Sequence, residues 1–228
     1  MHPPTPQPAA VQWSATELKH ITLYFDFASP YAYLAFELLP EALLGLSYSA
    51  SYQPVLLAAR DPQESAAMAP AHDWQRHHAL WLAHSRGIAL QWPADLPFNS
   101  LPLLQLALAC SPEAEPAAPN RYVCESIFRH VWQGAANAVD AARLQALSQA
   151  LAPPRAVNDA AVAAQLRRNS ADAMALGVAD TPTFMVDGRL FCGLDALPML
   201  RAYLQQDAWF DGPDWQAKQR PELLRNGA

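Results

Sequence analysis

The sequence predicts an α/β fold in which a small sheet is interrupted by a long helical insertion. Three observations carry this prediction. Residues 21–27, Ile-Thr-Leu-Tyr-Phe-Asp-Phe, are dense in β-branched and aromatic side chains and read as a strand. From Asp61 to about Ala175 the composition shifts to Ala, Leu and Gln, β-branched residues thin out, and helical periodicity takes over. Strand chemistry then returns at residues 183–186, where Asp187-Gly188 is a strong two-residue hairpin signal.

Each element follows in order. Residues 1–18, rich in Pro and Gln, read as a flexible N-terminal arm. The strand at 21–27 runs into a polar turn with Ser29 and then a helix. Pro30 suits the first helical position, where its missing N–H is not needed. The helix is expected to reach about Leu44, with Leu34, Leu38 and Leu39 in the core, Pro40 kinking or dividing it, and Gly45 ending it. A second strand is expected within residues 47–57, where Tyr48, Ala50 and Tyr52 alternate with small polar residues. Helices are expected near 72–86, 100–110, 120–134, 140–151 and 158–176. Breaks fall at Gly87, at 93–99, at 111–119 and at Pro153-Pro154. Residues 190–192 supply the partner strand of the hairpin, and Asp195 can cap a last helix over 196–205. The tail at 207–228 carries Trp209, Phe210 and Trp215, which suit docking onto the rest of the chain.

The bulk properties exclude several function classes. Hydrophobic residues make up 52% of the 228 and charged residues 16%, enough to bury a full core. The formal net charge of −6 argues against nucleic acid or an anionic membrane surface as a partner. No apolar run is long enough to span a bilayer, and the N-terminus does not look like a signal peptide. Cys110, Cys124 and Cys192 lack any Cys-x-x-Cys spacing and suggest free thiols in a reducing compartment, with cytoplasm the simplest reading. His72, His77, His78 and His84 share one expected helix without a metal-ligand pattern, so no metal site is assigned. Trp74, Trp81 and Trp92 read mostly as core, the alternative being that one or more line an aromatic-substrate pocket, and Cys192 reads as a buried, inert thiol.

The order strand, helix, strand, helical insertion, hairpin, helix matches a thioredoxin-like core over 19–60 and 177–206, with an inserted helical domain over 61–176. Such folds place a Cys-x-x-Cys pair where the first helix begins. This chain has Ser29-Pro30-Tyr31-Ala32 there. Unpaired N–H groups at a helix start favour an anion, so a site of this kind without its own thiol suits a sulfur brought by a bound molecule.

Three segments carry a family resemblance: residues 24–35, Tyr-Phe-Asp-Phe-Ala-Ser-Pro-Tyr-Ala-Tyr-Leu-Ala; residues 97–102, Pro-Phe-Asn-Ser-Leu-Pro; and residues 177–191, which contain Thr181-Pro182-Thr183-Phe184. Together they resemble the 2-hydroxychromene-2-carboxylate isomerases, relatives of kappa-class glutathione transferases and DsbA-type proteins. The resemblance covers roughly residues 20–205. It implies a glutathione-dependent isomerase acting on a small aromatic substrate. In that chemistry the thiolate adds to the unsaturated carbon next to oxygen, the ring opens, a bond rotates and the thiolate leaves.

The resemblance also implies roles for single residues. Ser29 would hold the glutathione sulfur as its anion, donating one hydrogen bond beside the helix N-terminus; the plain alternative is a helix cap. Thr181 would precede a cis Pro182 and leave its N–H and C=O free to pair with an extended peptide; the alternative is an ordinary trans proline. Asp195 would hold the amino group of the glutamyl end, or cap the last helix. Tyr31 and Asn99 would lie on the substrate side, although an Asn-Ser pair is also a plain cap. The family's Asn after the second strand is absent, since residues 58–62 read Ala-Ala-Arg-Asp-Pro. Its usual lysine is replaced around Ala71-His72, and its arginine after the acidic residue is Ala196. Arg60 or His72 are the candidates to compensate. A kappa-like transferase and a non-catalytic DsbA-like binding protein remain open as alternatives. Family members are often dimers, but nothing in this chain requires a homodimer.

Overall fold

In the computed structural model, residues 18–57, 69–112 and 118–216 are described. The sheet is built from β1 (Lys19–Phe25), β2 (Tyr48–Pro54), β3 (Thr183–Val186) and β4 (Arg189–Cys192). Its strand order is β2-β1-β3-β4. β1 runs parallel to β2 and antiparallel to β3, and β3 runs antiparallel to β4. The parallel step needs a crossover. Here that is α1 (Pro30–Ala42).

Alternation along β1 sets the two faces of the sheet. Ile21, Leu23 and Phe25 are wholly buried in the main core. Tyr24 points the other way, into a small cluster with Val55, Ala173 and Val178. The β3–β4 turn is the one expected: Asp187 and Gly188 both have positive φ, 52° and 72°. Two such residues make the hairpin turn whose twist matches the flanking strands.

Between β2 and β3 lie α2 (Ala69–Ser85), α3 (Leu101–Ala109), α4 (Arg121–Trp132), α5 (Ala141–Leu151) and α6 (Ala160–Ala175). The expected helices stand, with ends shifted by a few residues. α1 ends at Ala42 and not Leu44, and it runs through Pro40 as one helix. Proline lacks the N–H that would bond one turn back, but the rest of the α1 ladder, with its inward face of Tyr33, Leu34, Phe36 and Leu39, is buried. The inserted helices share their core with the sheet. Leu104, Ile127, Phe128 and Val162 sit in the same cluster as Ile21, Leu23 and Phe36.

Two hydrogen bonds bind the insertion to the loop after β1. The indole N–H of the fully buried Trp132 donates to the Phe27 carbonyl at 3.0 Å. The Ser100 hydroxyl donates to Asp26 Oδ2 at 2.9 Å. The loop that carries Ser29 is therefore held by α3 and α4 as well as by β1.

After β4 come a 3-10 turn (Leu194–Ala196), α7 (Leu197–Leu204), a second 3-10 turn (Ala208–Asp211) and the short α8 (Pro213–Gln216). The described part of the tail, residues 207–216, docks through its aromatic residues, and 217–228 lie outside the described residues. Phe210 is buried, and Trp215 stacks on Phe191 at 5.9 Å between ring centroids. The aromatic expectation for α2 is corrected. Trp74 and Trp81 are 66% and 62% exposed, and only Trp92 packs inward, edge-on to Trp132. No helix among the described residues is long and apolar enough to cross a membrane.

Candidate functional site

Ser29 is the N-cap of α1. Its backbone is extended (φ −89°, ψ 115°), and its Oγ accepts the Ala32 N–H at 3.2 Å. A side-chain oxygen in this position satisfies one of the donors a helix start leaves unpaired. Pro30 follows at the first helical position, as expected. The same hydroxyl donates to the Thr181 carbonyl at 3.0 Å. One short contact thus joins the helix start to the loop before β3, 152 residues away in sequence.

The Thr181–Pro182 peptide bond is cis. The expectation that Thr181 offers free main-chain groups is corrected. Its carbonyl accepts from Ser29, and its N–H donates to Asp180 Oδ1 at 2.7 Å. The neighbouring polar groups explain this: a serine across the gap and an aspartate one residue back both lie within reach. A peptide pairing here must displace the exposed Asp180 side chain, a smaller change than breaking a buried bond.

Beside this contact opens a cleft of about 850 Å³ between α1, α2 and the β4–α7 segment. Tyr31, Thr181, Pro182 and Asp195, four of the residues singled out in the sequence, line it. Ser29 is not among the lining residues; its hydroxyl meets the cleft only through its bond to the carbonyl of the lining residue Thr181. Leu38, Leu82 and Leu197 make part of its wall apolar, the usual character of a small-molecule site.

The Tyr31 hydroxyl and His78 Nδ1 share a hydrogen bond at 2.9 Å. Burial raises the Tyr31 phenol above its ordinary range, so it stays a neutral hydrogen-bonding group near pH 7. His78 in turn stacks on Trp74 with rings 5.6 Å apart and 6° from parallel. The Tyr31–His78 pair was not legible in the sequence, because 47 residues separate its members and only the packing of α2 against α1 joins them.

Asp195 enters the cleft from the 3-10 turn Leu194–Ala196 and is exposed. It does not cap the last helix: α7 starts at Leu197, its N-cap is Ala196, and no side chain caps it. The extra turn before α7 moves the carboxylate off the capping position. A side chain at Gly193 would place its Cβ 2.6 Å from Asp195 Oδ1, so the glycine, with φ 90°, leaves room for that carboxylate.

Asn99 is not brought to the cleft. It is exposed, and its Oδ1 accepts the Leu101 N–H at 3.1 Å in a local turn; the N-cap position itself is held by Ser100, whose side chain makes no capping bond. Ser100 turns inward to Asp26. Cys192 is also corrected. It is exposed and lines the cleft, because register with Thr183 puts it at the end of the outer strand, where no element covers it. Arg60 lies outside the described residues, as does the His72 side chain. The cations that do line the cleft are Arg86 and Arg201, and no motif pointed to them. Arg201 Nη1 donates to the Ala42 and Leu44 carbonyls at 2.8 and 3.0 Å and so closes the C-terminus of α1.

Asp26 was also missed. Its signal was a lone carboxylate within the aromatic run Tyr24-Phe25-Asp26-Phe27. It accepts from the Ala28 N–H at 2.9 Å and from Ser100. Burial raises its pKa and outweighs both hydrogen bonds, which lower it. Among the described residues no group of three or more His, Cys, Asp or Glu side chains is placed to hold a metal ion.

The comparisons with known proteins agree with this fold. The DSBA-like thioredoxin domain profile matches residues 20–205. A 2-hydroxychromene-2-carboxylate isomerase structure superposes with a TM-score of 0.67 at 19% identity, over 87% of this chain and 100% of that one. A probable DsbA oxidoreductase from Streptomyces coelicolor gives 0.58 at 17% identity, over 83% and 91%. The cytosolic disulfide reductase DsbM from Pseudomonas aeruginosa, in a structure with GSH, gives 0.53 at 18% identity, over 82% and 98%. These likenesses bear on the fold. No match emerged among curated proteins. With the profile spanning both the strand–helix turn at Ser29 and the Thr181–Pro182 loop that it touches, the chain belongs to the family of DsbA-like thioredoxin domains.

Proposed function

We propose that this protein is a glutathione-dependent isomerase of the 2-hydroxychromene-2-carboxylate type, acting on a small aromatic substrate. One observation carries the reading. At the start of α1, where this fold stabilises a thiolate, the chain has a serine hydroxyl facing the cis-proline loop and no cysteine at position 29 or 32. The likeness to an isomerase structure and to a family member studied with GSH supports it.

The residues present fit glutathione in part. Asp195 offers an exposed carboxylate for an amino group, and a cleft of about 850 Å³ is consistent with room for a tripeptide. Thr181 offers main-chain pairing once Asp180 gives way. When bound, glutathione supplies the thiolate nucleophile. The chain's own part is electrostatic. Ser29 gives up its bond to the Thr181 carbonyl and donates to the sulfur, and the α1 N-terminus adds a favourable field. Each effect is on the order of 1 kcal/mol, or nearly one unit of thiol pKa. Tyr31, hydrogen-bonded to His78, is placed to orient a polar group of the substrate. The reducing compartment inferred from three unpaired cysteines suits such a thiol.

The test is a spectroscopic assay of 2-hydroxychromene-2-carboxylate with and without glutathione. Conversion to trans-o-hydroxybenzylidenepyruvate only with the thiol supports the proposal. No conversion in either case rejects it, and conversion without the thiol rejects the cofactor role. The engaged N–H of Thr181 favours one rival, a non-catalytic binding protein. That rival predicts no rise in Tm at millimolar glutathione, because a ligand of the folded state must stabilise it.

A further inference from the structure

Tyr31 stands in the first turn of α1, two residues after Ser29. At about 1.5 Å of rise per residue, its main chain is about 3 Å along the helix from the N-cap, within reach of the field at the helix start. Its hydroxyl and His78 Nδ1 are 2.9 Å apart, and both residues line the cleft. The imidazole stacks on Trp74, 6° from parallel, which sets the plane of its ring. Neither Tyr31 nor His78 makes another side-chain hydrogen bond or ion pair among the described residues, so His78 Nε2 is open. The charged groups lining the same cleft are Glu41, Asp180, Asp195, Arg86 and Arg201, and on α2 Asp73 pairs with His77.

Two arrangements satisfy the bond between Tyr31 and His78. With Nδ1 bare, Tyr31 gives its proton to the bond and shows the cleft only lone pairs. With Nδ1 protonated, His78 donates to the phenol oxygen, and the Tyr31 O–H turns to a ligand. Burial keeps the phenol protonated near pH 7, so Tyr31 has that proton to offer. A negatively charged oxygen in the cleft pairs only with the second arrangement and selects it. The change needs one proton moved between the two ring nitrogens, and the open Nε2 lets water carry it.

We propose that Tyr31 and His78 form an oxyanion site: His78 Nδ1–H donates to the Tyr31 oxygen, and the Tyr31 O–H donates to a phenolate oxygen of the ligand. This deepens the proposed function and rests on it only for the step that the site serves. As the thiolate adds and the ring opens, a carbon–sulfur bond forms, the ring's carbon–oxygen bond breaks, and its electron pair stays on oxygen. The negative charge has then passed from the sulfur, held by Ser29, to an oxygen held by Tyr31. That oxygen takes a proton from water. The hydroxyl on the carbon it left releases one as it becomes a ketone, the carbon–sulfur bond breaks, and the thiolate is restored. Tyr31 is a catalytic residue here, and His78 a positioning residue that directs its proton.

The test uses the full chain and 4-nitrophenol, whose phenol and phenolate forms differ in visible absorbance, without glutathione. With saturating protein the bound probe should ionise about one pH unit below the free probe, the effect of one hydrogen bond to the charged form. Tyr31→Phe should abolish the shift. His78→Phe keeps a ring to stack on Trp74 and should remove most of it, and His78→Asn, with an amide N–H near the place of Nδ1, should restore part. In the isomerase assay Tyr31→Phe should lower kcat about a hundredfold with KM little changed, and His78→Phe should lower it less. A probe that does not bind, that titrates as it does in water, or whose shift survives Tyr31→Phe overturns the oxyanion site. A shift that depends on Tyr31 in a protein without isomerase turnover leaves the site standing and sinks the proposed function. Glutathione-dependent turnover that is unchanged in Tyr31→Phe and His78→Phe keeps the proposed function and overturns the site's part in it.

Discussion

At the scale of single residues, Ser29 and Asp26 divide the work of the loop after β1. Ser29 caps α1 and reaches Thr181, so Ser29→Ala loses both bonds. We expect a loss of about 1–2 kcal/mol, measured by denaturant unfolding. A change within a few tenths would show that the hydroxyl is not engaged. Asp26 behaves differently. Burial raises its carboxyl pKa, so the folded state keeps the proton to a higher pH than the unfolded chain does. Its contribution to stability is full below the unfolded carboxyl pKa of about 4 and is lost as pH rises through the folded value. Asp26→Asn lacks this titration. Between about pH 4 and neutrality the Tm of the wild type should fall relative to that of the variant, and parallel curves would contradict the assignment. Ser29 was legible because a serine before proline at a strand-to-helix turn has few other uses. Asp26 was not, since its partner Ser100 belongs to a helix 74 residues on.

At the scale of elements, α5 buries none of its residues. It is held at its start by Arg143, which donates from Nη2 to the His130 carbonyl at 2.8 Å and from Nη1 to that of Asn137. Gly134 makes room for that guanidinium. A Cβ there would stand 2.8 Å from the His130 oxygen and overlap Arg143. Gly134→Ala should cost about 1–3 kcal/mol and speed amide hydrogen exchange in α5, while β1 stays protected. Unchanged exchange in α5 would show that Arg143 does not anchor it. The hairpin turn and the helix N-caps Asn120, Asp140 and Asp159 follow from local chemistry, with each cap side chain accepting a main-chain N–H. The exposed Trp74 and Trp81 do not, because an aromatic side chain carries no local mark of which way its helix faces.

At the scale of the whole molecule, the insertion and the sheet share one core, and Trp132 is the joint between them. Its indole stacks near Tyr33, meets Trp92 edge-on and bonds to the Phe27 carbonyl. Trp132→Phe removes that bond and leaves a void. We expect a loss of about 2–3 kcal/mol in a single unfolding transition; two separate transitions would contradict a shared core. The order of strands and helices was readable because hydrophobic period and turn residues are local. The cleft was not. Tyr31, Arg86, Cys192 and Asp195 come from four separate segments, and only tertiary packing sets them around one space. The central claim is that this space holds a borrowed thiol as its anion. A pH titration of glutathione labelled with ¹³C at its cysteinyl Cβ, followed by NMR with saturating protein, tests it most directly. The bound thiol is expected to titrate about one unit or more below the free thiol and to move back toward it in Ser29→Ala. A midpoint equal to that of free glutathione would contradict it.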